Sequence, residues 1–319
     1  MKKTAVVLFN LGGPASEADI YPFLFSLFYD PAILSFPNPI RYVLAKVIAN
    51  ARLSKAKAIY AHLGGGSPLL QNTLAQATAL EKELEENHRV FVVMRHAPPF
   101  ASSVLKEVRA YEPDEVVLLP LYPQYSTTTT ESAFKMWKKV TRGWSVPTRF
   151  ISSYPTQAGF LKALQDLTHP LYERAQKHGS PQVLLTAHGL PEKTIKGGDP
   201  YQRQVEETSR KLAEILSLKD AILCYQSRVG PLTWIGPSLE EEIIKASRLK
   251  RPLVIVPLSF VSEHSETLVE LDITLKDLAF REGCPAYERV PTVQTHPSFI
   301  QGLASLIVQS SVISKALHF

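Results

Sequence analysis

Only two cysteines, Cys224 and Cys284, occur in 319 residues. That is too few for a disulfide framework or a Cys-held iron–sulfur cluster, so a reducing compartment is expected and any metal must be held by His and carboxylates. Glycine is scarce as well, with 15 residues against 24 prolines, an inversion of ordinary usage that excludes collagenous and glycine-rich repeats. No stretch reaches the ~18 consecutive apolar residues of a spanning helix, because Pro, Asp and Arg interrupt the most apolar region, Tyr21 to Val47. The start, MKKTAVVLFNLGGP, is basic but lacks a small-residue cleavage pattern and reads as a first core strand. No run of Lys or Arg accompanies the net charge of +5. This argues against a dedicated nucleic-acid partner and leaves small acidic ligands.

What the chain has instead is a series of Val, Leu and Ile runs bounded by Pro or Gly: Ala5 to Leu11, Val90 to Met94, Val116 to Pro120, Val183 to Ala187, Ala221 to Tyr225 and Leu253 to Pro257. Runs that are apolar throughout, without alternation, mark strands buried on both faces, as in parallel sheets covered by helices. The two halves also match each other. VVLFNLGGP ending at Pro14 parallels VLLTAHGLP ending at Pro191, Val90 onward parallels Ala221 onward, and Glu115 onward parallels Arg251 onward, in the same order. Two similar α/β domains follow, meeting in the polar stretch Ser145 to Thr156, with the C-terminal helix-like run from Phe299 packing back on the first. In open parallel sheets ligands bind beyond the carboxyl ends of the strands. The residues expected there are Leu11, Arg95, His96 and Tyr122 to Thr130 in the first half, and His188, Gln226 to Arg228 and Phe260 to Glu266 in the second.

Several of these carry chemistry. His188 leaves a strand directly before Gly-Leu-Pro, where an imidazole serves as metal ligand or proton acceptor; capping of the turn is the structural alternative. On a helix of 3.6 residues per turn Glu263, Glu266, Glu270 and Thr274 share one face, and Leu268, Leu271, Leu275 and Leu278 another. A solvated acidic face is the ordinary reading of such a row, but this one begins just after a core strand. His188 and Glu266 would form a nitrogen–oxygen pair suited to a borderline divalent metal such as Fe(II), too sparse to hold it permanently. His264 is either a supporting or a structural residue. YPQYSTTTTES, from Tyr122, offers hydroxyls at a helix start that suit a carboxylate or phosphate, or simple capping. Gly64 to Gly66 lack a phosphate-loop ending and read as turn glycines. Trp234 is either core or pocket wall. The aromatic region Tyr21 to Tyr42 is either a buried helix hairpin or an apolar lip over a flat substrate.

Together, NLGGP at Asn10, GGGSP at Gly64, MR at Met94, YPQYS at Tyr122, AHGLP at Ala187, GDPY at Gly198, YQSRVGPLTWIGP at Tyr225 and SEHSETLVELD at Ser262 resemble the ferrochelatases, over nearly the whole chain and in order. The resemblance implies two Rossmann-like domains, residues 1–150 and 151–319, with parallel sheets and an active-site cleft between them. It implies insertion of Fe(II) into protoporphyrin IX to form protohaem with release of two protons, iron being substrate rather than resident cofactor. By position, His188 is the catalytic histidine, Glu266 the acidic partner across the porphyrin plane, both touching the metal, and Glu270 extends the acidic row. Leu11, Arg52, Arg95, Tyr122, Ser126 and Trp234 match substrate-binding positions. His96 stands where relatives often have tyrosine, and Glu131 where glycine is common. With no Cys-rich extension, the chain resembles the bacterial form without an iron–sulfur cluster. It is expected to be a cytoplasmic monomer without nucleic-acid partner, with a peripheral membrane contact left open. The alternatives are a coproporphyrin ferrochelatase, a cobalt or nickel chelatase for another tetrapyrrole, and a porphyrin or haem carrier.

Overall fold

The computed structural model describes residues 2–228 and 232–309; Val229, Gly230 and Pro231 of the YQSRVGPLTWIGP segment lie outside the described residues, as does the chain from Ser310. The described residues divide into two compact units, one of residues 2–154 and 300–309, the other Pro155–Phe299. Each holds a four-stranded parallel sheet. In the first, β1 (Thr4–Asn10), β2 (His88–Met94), β3 (Glu115–Pro120) and β4 (Thr148–Phe150) are ordered β2-β1-β3-β4. In the second, β5 (Gln182–His188), β6 (Ile222–Gln226), β7 (Leu253–Pro257) and β8 (Tyr287–Arg289) are ordered β6-β5-β7-β8. The internal match of the sequence is thus a match of topology, strand for strand.

Burial explains the apolar runs of the inner strands. Every residue of β1, β3 and β7 is buried, as a central parallel strand with helices on both faces requires. On one side of the first sheet Phe9 meets the rings of Phe134 and Trp137 edge-on, at 6.3 and 5.9 Å, and Trp137 is 1% exposed. On the second sheet Leu184, Leu239, Ile243, Ile255, Leu271 and Leu275 form one cluster. The short strands β4 (TRF) and β8 (YER) escape the pattern, β4 lying inside the polar stretch Ser145 to Thr156. An edge strand pairs on one side only and needs no continuous apolar run.

The NLGGP and GGGSP segments pack on one another. A Cβ on Gly13 would lie 2.6 Å from Ser67 Cβ, one on Gly66 would lie 2.4 Å from the Ala15 carbonyl oxygen, and Ser67 N–H donates to Pro14 O at 2.7 Å. These glycines permit a close backbone approach rather than a phosphate cradle. In the aromatic region, Ile20, Phe23 and Leu24 of the helix Ile20–Phe28 pack on Ala49, Ala56 and Tyr60 of the helix Ile40–Ala61. Phe36, Ile40, Val43 and Val47 remain exposed, so the region is part buried hairpin and part apolar surface. Among the described residues no helix is long and apolar enough to cross a membrane.

Candidate active site

Three strand exits of the second unit converge. His188 is the last residue of β5, paired in register with Gln226, the last of β6, and β7 leads through a loop into a π-helix, Glu266–Leu275. His188 Nδ1 lies 2.8 Å from Glu266 Oε2. Ser227, just past β6, donates its backbone N–H to Glu270 Oε1 at 2.9 Å, and its hydroxyl meets Glu270 Oε2 in a short contact and Glu266 Oε2 at 3.2 Å. It does so from the left-handed region, at φ 60°, a conformation that costs a non-glycine residue about 1–2 kcal/mol and points hydroxyl and amide toward one carboxylate. Gln226 Nε2 donates to Glu266 O at 3.0 Å and Glu270 Oε2 at 3.2 Å, while Thr186 Oγ1 at 3.3 Å from Gln226 Oε1 fixes the amide's orientation. A Cβ at Gly189 would lie 3.0 Å from Gln226 O and 3.5 Å from Trp234 Cε3, so glycine is what lets the AHGLP turn close over β6 and under Trp234.

The electrostatics differentiate the three titratable groups. Burial works against a charge on Glu266, but the His188 ring beside it, with His264 and the Ser227 hydroxyl, prevails and lowers its pKa to about 2. Burial likewise opposes protonation of His188, and the charges of Glu266 and then Glu270 outweigh it, raising the imidazole above its ordinary 6.5. Glu270 goes the other way: burial, then the neighbouring Glu266 charge, push its carboxyl up against the hydrogen bonds from Ser227 and Gln226. A single hydroxyl hydrogen on Ser227 serves one acceptor, so both contacts are satisfied when Glu270 carries a proton, donates it to Ser227 Oγ, and Ser227 donates to Glu266. Among the described residues no side chain hydrogen-bonds His188 Nε2.

Two expectations need correction. His188 and Glu266 do not stand on opposite sides of a flat substrate; both belong to the second unit and touch directly, which leaves no room for a macrocycle between them. Glu263 is not in the acidic row. The helix begins at Glu266, and Glu263 lies before it, its carboxylate 2.6 Å from Arg289 Nη1 and accepting Thr292 N–H at 2.9 Å. Of the apolar row, Leu271 and Leu275 are buried in the core, while Leu268 and Leu278 are only half-buried and Thr274 is exposed. His264 turns out structural: its Nδ1 accepts the Glu266 backbone N–H at 3.1 Å and its ring packs edge-on against Phe260, so it caps the helix start, and burial holds its pKa below the ordinary value. Ser227 and Tyr201 complete the site. The Tyr201 hydroxyl donates to Ser259 Oγ at 3.0 Å, and GDPY is legible as its frame, since Asp199 Oδ1 accepts the Tyr201 N–H.

The strand exits of the first unit carry a second set. Arg95, following β2, donates to Ser132 Oγ at 2.8 Å and lies 2.7 Å from Asp30 Oδ2, the buried carboxylate that also accepts from Ser132 at 2.5 Å. His96 is fully buried beside this cluster, its Nδ1 3.3 Å from Ser26 Oγ. Burial, and then Arg95, lower its pKa to about 3. Leu11 is half-buried after β1, its carbonyl accepting the His96 N–H. Burial raises the Tyr122 phenol, Arg95 pulling the other way. Ser126 caps its own turn by accepting Thr128 N–H, and Glu131 is tied to Lys135 and to Tyr125 Oη. Arg52, on the helix Ile40–Ala61, sits over the Phe28 ring at 5.4 Å. Trp234, in the second unit, is half-buried and bridges to Pro191 through its backbone.

Among the described residues no cluster of three or more His, Cys, Asp or Glu is arranged to hold a metal ion. Cys224 and Cys284 are both buried free thiols, and burial pushes both away from the thiolate that would bind metal. The donors the site does present are the nitrogen of His188 and the oxygens of Glu266 and Glu270.

Comparison with known proteins gives the family. The ferrochelatase family model matches residues 3–311. The chain is 47% identical over 318 residues to the ferrochelatase of Pelagibacter ubique, covering 97% of this chain and 92% of that one. It is 48% identical to the ferrochelatase of Caulobacter vibrioides, covering 97% and 90%, and 48% identical to that of Wolbachia pipientis, covering 96% and 99%. Among solved structures, the fold is similar to that of SirB from Bacillus subtilis with Fe3+, at a TM-score of 0.61 and 11% identity over 97% of this chain and 96% of that one. It is also similar to CbiX, the terminal enzyme of siroheme biosynthesis in denitrifying bacteria, at 0.53 and 14% over 98% and 100%. With the family model spanning almost every residue and relatives near half identity along their whole lengths, the chain belongs to the ferrochelatase family, lyases that insert iron into a porphyrin in haem synthesis.

Proposed function

We propose that this protein inserts Fe(II) into protoporphyrin IX with His188 as proton acceptor and Glu266, Ser227 and Glu270 as the route by which protons leave. Metallation removes two pyrrole protons and strips water from the ion. Neutral His188, its Nδ1–H held by Glu266 Oε2 at 2.8 Å, presents Nε2 as the base, and the Glu266 charge stabilises the imidazolium that forms. For a proton to leave along the Glu266–Ser227–Glu270 contacts, Glu270 first releases its own proton outward; the hydroxyl chain then reverses, Ser227 accepting from Glu266 and donating to the emptied Glu270. The His188–Glu266 contact is the observation that carries this reading: a storage protein needs no such base with a matched counter-charge. His188 and Glu266 are also the nitrogen and oxygen ligands that Fe(II) meets in transit, with iron a substrate and no resident cofactor required.

Leu11 and Trp234 would form apolar walls against the macrocycle. Tyr122 and Ser126 would contact its substituents, with Arg52 and Arg95 facing its carboxylates; Arg95 is already neutralised by Asp30, so it orients rather than adds charge. The exposed Phe36, Ile40, Val43 and Val47, with Arg41 and Lys46 among them, support a cytoplasmic enzyme that touches the membrane surface when exchanging a water-insoluble ring. Anaerobic mixing of the purified protein with Fe(II) and protoporphyrin IX should convert the free-porphyrin spectrum to that of protohaem. Preferential turnover of coproporphyrin would reassign the substrate, and binding without conversion would make the protein a carrier.

A further inference from the structure

The acidic pair sits on an unusual scaffold. Glu266–Leu275 is π-helical over ten residues, whereas such i→i+5 winding mostly occurs as single-turn bulges. A segment that long needs outside restraint, and the edge strand β8 supplies it. Tyr287 and Arg289 are alternate residues of β8 and so share one face. The Tyr287 hydroxyl donates to the Leu271 carbonyl, a main-chain group of the π-helix, at 2.8 Å. Arg289 grips the segment at two points. Its Nε donates to Asp272 Oδ1 at 2.7 Å, its Nη2 meets the other Asp272 oxygen, and its Nη1 holds Glu263 Oε1 at 2.6 Å. The guanidinium and the Glu263 carboxylate are each 10% exposed. Glu263 lies three residues before Glu266, and Asp272 two residues after Glu270. The strand is itself anchored, with Leu253 N–H donating to Ala286 O and Val290 N–H to Ile255 O, both at 2.8 Å.

We propose that Arg289, assisted by Tyr287, is a positioning residue of the metal-insertion site: it fixes the two ends of the arc that presents Glu266 and Glu270 and keeps the wide winding from tightening into an α-helix. Tightening would rotate Glu266 against Ser227 and His188, which are set by β5 and β6 rather than by the helix, and would break the shared Ser227 contact. The planar fork on Asp272 is what the role demands, since a point charge fixes no orientation. This rests on the assignment of Glu266 and Glu270 to the insertion chemistry.

Arg289→Met alone leaves two carboxylates without their cation and risks misfolding, so the test uses the triple change Arg289→Met, Glu263→Gln, Asp272→Asn, which removes the charges as a set while keeping side-chain shapes. Its iron and porphyrin kinetics, and a titration with Co(II) followed by absorbance, are compared with wild type and with His188→Ala. We expect kcat/KM for iron and the Co(II) affinity to fall about 10–100-fold, the range for residues that orient metal ligands, with KM for porphyrin unchanged and the KM for iron raised. A folded triple variant with wild-type iron KM and Co(II) affinity overturns the proposal. So does a loss confined to the folded fraction, with every KM unaltered, because that is how a merely structural ion pair behaves. If His188→Ala loses Co(II) affinity and the triple variant does not, only the role of Arg289 fails; if His188→Ala keeps it, the site assignment itself fails.

Discussion

Replacing Glu266 with glutamine removes the charge beside His188 and leaves a carbonyl oxygen able to accept the Nδ1–H, so the ring keeps its orientation and loses its counter-ion. In the wild-type protein Glu266 falls from 4.5 to about 2 because of His188, His264 and Ser227 acting against burial, which corresponds to at most about 3 kcal/mol. With the imidazole 37% and the carboxylate 30% exposed, solvent screening reduces this to about 1–2 kcal/mol. The sign follows from the role of the base. His188 must be unprotonated to accept a proton, and its raised pKa places the acid limb of the wild-type profile above the ordinary 6.5. Without the carboxylate, burial is opposed only by the more distant Glu270, so the limb moves to lower pH, and the plateau falls about tenfold because the imidazolium forms without its partner. The assay is kcat/KM for Fe(II) insertion across pH 5 to 9, under anaerobic conditions, in buffers of constant ionic strength. A limb that stays in place, or shifts to higher pH, refutes the coupling of the two groups.

Two further outcomes test the frame around the site. Gly66→Ala should lower unfolding free energy by about 1–3 kcal/mol in denaturant titration, because its Cβ would meet the Ala15 carbonyl at 2.4 Å, backbone against backbone. His96 is held neutral in the folded state, with a pKa of about 3, while the unfolded chain protonates it from 6.5 downward. Stability is therefore lost as pH falls through that window, and His96→Gln should flatten the decline in melting temperature between pH 6.5 and 5.5, above the range in which Glu266 of the unfolded chain takes up its proton near 4.5.

Six strands of the two sheets were legible as apolar runs, the inner β1, β3, β5 and β7 because burial on both faces leaves the run unbroken, and the outer β2 and β6 because their C-terminal halves are buried. The internal match was legible because the same topology demands the same order of runs. β4 and β8 were not, being three-residue edges with polar sequences. His188, Glu266 and Glu270 stood out as polar groups at strand exits, where an apolar residue would be cheaper. The winding beyond Glu266 was hidden, since nothing in composition separates i→i+5 from i→i+4 bonding. Glu266 and Glu270, four apart, stay neighbours either way, but Glu263 drops out of the row and belongs to Arg289. The sequence brought His188 and Glu266 together as a nitrogen–oxygen pair, but not their direct hydrogen bond, which depends on where β5 and the π-helix end in space. Ser227 was placed at a strand exit by the sequence, within Gln226 to Arg228, but its bridging of two carboxylates was hidden by its left-handed backbone, a conformation that serine rarely announces.

The central claim is that His188 is the base for metallation rather than a residue that holds the porphyrin or the fold. The most direct measurement is Fe(II) insertion by His188→Ala, followed by the spectral conversion of protoporphyrin IX, with porphyrin affinity measured by fluorescence on the same sample. Loss of a positioned general base predicts a fall in kcat of about 10²-fold or more with porphyrin affinity within a few-fold of wild type. Wild-type turnover in this variant, or a loss of porphyrin binding that accounts for the whole decline, would contradict the claim.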